Sequence, residues 1–219
     1  MCGRFALFAT MEQIVHHFHL KDKFIMEPRY NIAPTQTIPI ILSFNQPIAF
    51  SRWAFIPPWA KGEEGKLPDG YINARRETLL EKATFKNAFK KQRCIIPASG
   101  YYEWKTLGGK KQPFFITLKD QPLIGLAGIW SSWRHTAWED FHTCAILTTQ
   151  STGEMARIHD RMPVILSPDN YENWLDHNSK TNKPETLLEQ QNLFDFQIYP
   201  VSPQVNVPGF DNPVCIKPL

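Results

Sequence analysis

Cys2, directly after the initiator methionine, is the first residue of this chain with chemistry to offer. A small second residue permits removal of Met1, which would leave an α-amine and a thiol on one residue. Their unperturbed pKa values lie near about 8 and about 8.5, so both are nucleophilic close to neutral pH. Such a 1,2-aminothiol attacks an aldehyde through nitrogen, and sulfur then closes onto the imine to form a five-membered thiazolidine. Three further segments carry groups that move protons or hold anions. Tyr71-Ile72-Asn73-Ala74-Arg75-Arg76-Glu77-Thr78 sets an amide and cations at the expected mouth of a helix. Gly100-Tyr101-Tyr102-Glu103-Trp104-Lys105 embeds a carboxylate in an aromatic strand, where burial would raise its pKa toward acid–base work. Ile158-His159-Asp160-Arg161-Met162-Pro163 offers a histidine for proton transfer and an arginine for a phosphate.

Each segment also has a plain structural reading. Cys2 could be an incidental buried cysteine, Asn73 a helix N-cap beside a solvated first turn, Glu103 a solubility charge on an edge strand, and His159-Asp160-Arg161 an ordinary loop. Period two decides one point at once: Glu103 shares a strand face with Tyr101 and Lys105, opposite Tyr102 and Trp104.

The elements that must carry these groups are short. Eighteen prolines and 13% aromatic residues favour strands and turns over a helical bundle. Thr10-Met11-Glu12-Gln13 is a capping-box pattern ahead of Ile14, Val15 and Phe18, which predicts a helix over 11–19. Strands are expected at Ile38–Leu42, Ile48–Phe55, Arg93–Pro97, Tyr101–Lys105, Pro113–Leu118, Leu123–Trp130, His142–Thr148, Pro163–Leu166 and Gln197–Val201. Two short helices are expected between Arg75 and Lys91, one from a Ser167 N-cap through Asp176, and one over Pro184–Gln191. Lys105–Lys110 reads as a hairpin loop. No repeat or composition break marks a linker. The expectation is one α+β domain over residues 1–219, a mostly antiparallel, barrel-like sheet with several short flanking helices.

Composition narrows the class further. With 42% hydrophobic and 21% charged residues, the chain matches globular proteins and excludes disordered or fibrous ones. The longest apolar run, Leu123–Trp130, is far shorter than the roughly 20 residues of a membrane-spanning helix. MCGRFALFAT lacks the features of a secretory signal, so the expected compartment is the cytoplasm. A monomer is expected. The four cysteines, Cys2, Cys94, Cys144 and Cys215, form no C-x-x-C pair, which argues against a disulfide framework or a zinc site. His16, His17 and His19 have no carboxylate or cysteine at ligand spacing, so no metal and no organic cofactor is expected. A net charge of +3 permits an anionic partner without requiring one.

Five separated motifs, MCGRF at the start, RYNIAP at 29–34, INARRET at 72–78, IIPASGYYEW at 95–104 and IHDRMPVIL at 158–166, together resemble the SOS response-associated peptidase (SRAP) family. The resemblance covers nearly the whole chain in family order. It implies a sensor of abasic sites in single-stranded DNA that removes its own Met1 and crosslinks itself to the lesion. Carried over residue by residue, it implies catalytic roles for Cys2, Asn73, Glu103 and His159. It implies DNA contacts from Arg4, Arg75, Arg161 and Thr148, with Trp104 stacking on a base. Two other classes stay in view. The MCG start also resembles glutamine amidotransferases with an N-terminal cysteine nucleophile, although no other segment resembles their glutamine-binding parts. A non-covalent single-strand binder would use the same tryptophans and arginines, and would leave Cys2 without a role.

Overall fold

The structure, a computed structural model, describes residues 2–219 except 22–23, 64–65, 120, 136–137, 179–182, 190 and 192–193; Met1 lies outside the described residues. In chain order come β1 (Phe5–Leu7), α1 (Met11–His17), β2 (Arg29–Ile32), β3 (Thr37–Ile40) and β4 (Ala49–Trp53). Next are β5 (Asn73–Arg75), α2 (Ala83–Lys91), β6 (Arg93–Ala98), β7 (Gly100–Leu107) and β8 (Lys110–Leu118). Then follow β9 (Ile124–His135), β10 (Trp138–Gln150), β11 (Arg161–Pro163), β12 (Ile165–Leu166), α3 (Tyr171–Leu175), α4 (Pro184–Leu187) and β13 (Phe196–Pro200).

The strands form two sheets of a single α+β domain, and one sheet nearly closes on itself. Pairing runs β3–β4–β10–β9–β6, and the Ile41–Ile95 bridge returns β6 to the end of β3. Ring closure leaves few unpaired backbone groups at the edges. Its interior is packed with Ile38, Ile40, Trp53, Cys94, Ile96, Cys144 and Ile146, all 0% exposed. The second sheet has the order β13–β8–β7–β1–β2. Most pairs are antiparallel, but β10 takes both β4 and β5 as parallel neighbours.

Local chemistry explains several of these elements. Thr10 caps α1 with a full capping box, its hydroxyl accepting from the Gln13 amide while the Gln13 side chain accepts from the Thr10 amide. The β7–β8 hairpin turns on Gly108 and Gly109, whose φ angles of 54° and 79° suit glycine and give the two-residue turn its twist. The hairpin therefore zips to Leu107 and Lys110, tighter than the expected six-residue loop. Four expectations need correction. Asn73 opens a strand paired in parallel with β10 and caps no helix. The stretch after Arg75 forms one 3-10 turn (Arg76–Thr78) and one helix, α2, in place of two helices. The Ser167 side chain makes no capping bond, so Pro168 at the first position starts the turn on its own fixed φ. The last helix, α4, spans only Pro184–Leu187.

The C-terminal segment is strapped back across β2. The fully buried Asn31 donates from Nδ2 to the carbonyls of Val205, Val207 and Phe210 at 3.1, 3.0 and 2.9 Å. The Asp211 carboxylate accepts from the Tyr30 and Asn31 amides and pairs with Arg29. Replacing Asn31 with alanine removes three of the bonds that hold the strap and leaves Arg4 without its Oδ1 acceptor. It should cost about 3 kcal/mol in urea unfolding and expose the segment after Pro200 to protease. An unchanged midpoint and cleavage pattern would show that the strap is held elsewhere.

Candidate active site

Four segments distant in sequence meet where β1 begins. The β1–β7 pairing sets Phe5 opposite Tyr101, and the Tyr102 amide donates to the Arg4 carbonyl at 3.0 Å. The residues before Phe5 thus run beside Tyr102 and Glu103. From β5, the Asn73 amide donates through Nδ2 to the Cys2 carbonyl at 2.9 Å. His159, in the turn before β11, brings Nε2 to 3.9 Å from a Glu103 carboxylate oxygen. That separation exceeds a hydrogen bond, so the two groups flank a shared space without binding each other directly.

Burial sets the electrostatics of this space. Cys2 is fully buried, and burial followed by the Glu103 charge drives its thiol far above the ordinary range. Glu103 is 1% exposed on a central strand, which excludes an edge-strand solubility charge. Burial raises its carboxyl to about 7, with the charge of Asp160 adding to the rise. A carboxyl with that value is present in both protonation states at neutral pH, the condition for a group that gives and takes a proton. Burial lowers the His159 imidazole below its usual range, against the nearby Asp160 carboxylate. Two buried polar atoms beside Cys2, Asn73 Oδ1 and the Tyr101 hydroxyl, have no hydrogen-bond partner among the described residues. Buried atoms of this kind are rare, and here they leave one acceptor and one donor for an incoming molecule.

The strand alternation read from sequence holds. Tyr101 packs into the main core with Cys2, whereas Tyr102 and Trp104 belong to a second cluster with Phe115, Val201 and Val205. Trp104 is half-buried, and its indole N–H donates to Asn206 Oδ1 at 2.8 Å. An open cleft of about 450 Å³ lies over Glu103 and His159, walled by Trp104, Thr106 and Lys111. Lys111 was not singled out from the sequence. Its only signal there was cross-strand proximity, since Thr106 pairs with Lys111 across the hairpin.

The remaining expected contacts differ in availability. Arg75 is exposed at the end of β5 and makes no side-chain hydrogen bond or ion pair among the described residues. Arg4 donates to Asn31 Oδ1 at 2.7 Å and to the Val205 carbonyl at 2.8 Å, so much of its fork is spent inside the protein. Arg161 forms a two-pronged pair with Glu77, at 2.8 and 3.0 Å. Thr148 is fully buried between Arg75 and Pro163 in the sheet register, and its carbonyl and hydroxyl accept from Arg161. Among the described residues no group of three or more potential metal ligands comes together.

Residues 1–208 match the family described as SOS response associated peptidase (SRAP). The chain is 41% identical over 227 residues to the abasic site processing protein YoqW of Bacillus subtilis (strain 168), covering 99% of each. It is 31% identical over 224 residues to the abasic site processing protein HMCES of Gallus gallus, covering 88% of this chain and 66% of that one. Among solved structures, a crystal structure of a Bacteroides thetaiotaomicron protein is similar with a TM-score of 0.88 at 25% identity, over 100% of both chains. A Bordetella bronchiseptica protein is similar with a TM-score of 0.74 at 26% identity, over 92% of this chain and 100% of that one.

Proposed function

This chain belongs to the SOS response associated peptidase family, and we propose that it senses abasic sites in single-stranded DNA and captures them covalently through Cys2. The observation that carries the reading is the meeting of the buried Cys2 and Glu103 with Asn73 and His159 at the floor of one cleft. The abasic-site names of its relatives supply the substrate class.

Loss of Met1 frees the Cys2 amine. The abasic sugar is mostly a closed hemiacetal, so capture begins with ring opening, in which the C1 hydroxyl loses a proton and the ring oxygen gains one. Glu103 is the candidate for both transfers, and its raised carboxyl suits either direction. The amine then adds to the aldehyde, water leaves, and the thiol adds across the resulting C=N bond while its proton passes to nitrogen. One water is lost overall. The buried thiol holds its proton tightly, so closure needs a base at hand, and Glu103 and His159 flank the space. The unpartnered Asn73 Oδ1 can accept from the amine or a sugar hydroxyl.

Removal of Met1 is assigned to the same groups: the Cys2 thiol attacks the Met1 carbonyl, the Met1–Cys2 amide bond breaks as its nitrogen takes the thiol proton, and water hydrolyses the resulting thioester to release methionine and restore the thiol. A Cys2→Ala protein that loses Met1 as quickly as wild type would assign that step to a separate aminopeptidase. DNA contact is assigned to Arg75, to the remaining donors of Arg4 and Arg161, and to stacking on Trp104. Thr148 serves through Arg161, which it supports from below. Arg75→Ala should weaken single-strand binding evenly across sequences and flatten the log-affinity against log-salt slope by about 0.7. An unchanged slope would remove Arg75 from the DNA path.

The experiment is a denaturing gel of the protein with abasic single strand, intact single strand and abasic duplex. A heat-stable shift is expected only with the first. Shifts that vanish on denaturation in all three lanes would favour non-covalent binding, and glutamate release from glutamine without DNA would favour the amidohydrolase class.

A further inference from the structure

One nitrogen of His159 faces two competing partners. Nδ1 lies 3.0 Å from the Arg161 backbone nitrogen and 2.8 Å from an Asp160 carboxylate oxygen. With a lone pair, Nδ1 accepts from the amide; with a proton, it donates to the carboxylate. The choice is felt at Nε2, which faces Glu103. When Nδ1 accepts from Arg161, the neutral ring carries its proton on Nε2 and presents a donor to the Glu103 side. When Nδ1 donates to Asp160, the neutral ring presents a lone pair there instead.

What holds the Arg161 amide is therefore part of what sets the ring. The Asp160 side chain is 84% exposed and gives the turn no anchor of its own. The Arg161 side chain is anchored twice, by the fork to Glu77 and by a 2.7 Å bond to the Thr148 carbonyl on β10. Glu77 sits in the 3-10 turn directly after β5, the strand that carries Asn73. Burial raises its carboxyl, but the hydrogen bonds and charge of Arg161 outweigh burial and hold it below its usual range, so the pair stays ionised at neutral pH.

We propose that Glu77 is a positioning residue. Through its fork to Arg161 it holds the His159–Arg161 turn so that Nδ1 accepts from the amide and the Nε2 proton points toward Glu103. This rests on the reading of His159 and Glu103 as groups of the capture reaction. A carboxylate that only modulated DNA electrostatics would act with a different signature. Its removal would tighten DNA binding and leave the chemical step alone.

The test uses the full chain with Glu77→Gln, which keeps the shape and loses the charge. Three quantities are measured: crosslinking rate at saturating abasic single strand from about pH 5 to about pH 9, affinity for an intact strand of equal length, and the melting curve. The rate should fall roughly tenfold, its pH profile should shift, and affinity should be unchanged or tighter. On a His159→Ala background the same change should alter the rate by no more than about twofold, because the positioned ring is gone. A folded Glu77→Gln protein with the wild-type rate and profile overturns the proposal. So does a tenfold loss that persists undiminished on His159→Ala. If Glu77→Gln melts early, Arg161→Lys keeps the cation without the fork. It must then reproduce both the loss and its absence on His159→Ala, and a wild-type profile there overturns the proposal. A His159→Ala protein that crosslinks at the wild-type rate would overturn the underlying reading itself, and the proposal with it.

Discussion

Cys2→Ala is expected to yield no heat-stable adduct with abasic single-stranded DNA, a loss on the order of 10³-fold or more in covalent capture. The substitution removes sulfur but retains the α-amine once Met1 is gone. In Cys2→Ala protein from which an aminopeptidase has removed Met1, the imine therefore still forms reversibly and borohydride should trap it; where removal needs the Cys2 sulfur, Met1 stays on and no imine is expected. Cys2→Ser keeps a nucleophilic atom at the same place, but its hydroxyl closes on an imine less favourably than a thiol, so a heat-stable adduct is not expected either. Affinity for intact single strand should stay near wild type in both variants, because Cys2 is fully buried. A heat-stable adduct from Cys2→Ala would rule out sulfur closure and move the bond to another nucleophile.

Glu103→Gln has two expected effects of opposite sign. The first is on rate: loss of general acid–base help should slow capture roughly 10²–10⁴-fold and remove a break near pH 7 from the rate profile. The second is on stability. A carboxyl raised on folding holds its proton more tightly in the folded chain than in the unfolded one. The folded state therefore gains most at low pH, and stability drains away as pH rises from the unfolded carboxylate range toward 7. Glutamine cannot ionise, so Glu103→Gln should be more stable than wild type at pH 8 by on the order of 2–3 kcal/mol, with the difference vanishing near pH 4. Paired urea titrations at the two pH values measure this. A variant that crosslinks at the wild-type rate would remove Glu103 from the chemistry, and equal stability at both pH values would mean that its carboxyl is not raised by folding.

Much of this site was legible in the sequence, for identifiable reasons. The face of Glu103 followed from period two within one strand, and the α1 cap from a four-residue pattern, both local signals. The Gly108-Gly109 turn was visible as glycines, although its two-residue tightness was not. Less legible were features made by distant pairs. Asn73 lies in a three-residue strand whose arginine-rich continuation reads as helix, and only its parallel pairing with β10 makes it a strand. The fork between Glu77 and Arg161 joins positions 84 apart, so Glu77 looked like a charge in a solvated first turn and Arg161 like a phosphate contact, with nothing to link them. Asn31 stood inside a quoted motif, yet its work on carbonyls beyond residue 200 depends on a strap that no local pattern announces. The spent donors of Arg4 have the same origin. Closure of the barrel through Ile41 and Ile95 is likewise a consequence of sheet curvature, outside the reach of any window of residues.

Covalent capture by the Cys2 amine and thiol is the central claim, and intact-mass spectrometry of the protein incubated with an abasic single-stranded oligonucleotide tests it most directly. The expected species has the mass of the chain without Met1, plus the oligonucleotide, minus one water, and it survives heating. Absence of any covalent species, or an adduct that retains Met1, would contradict it.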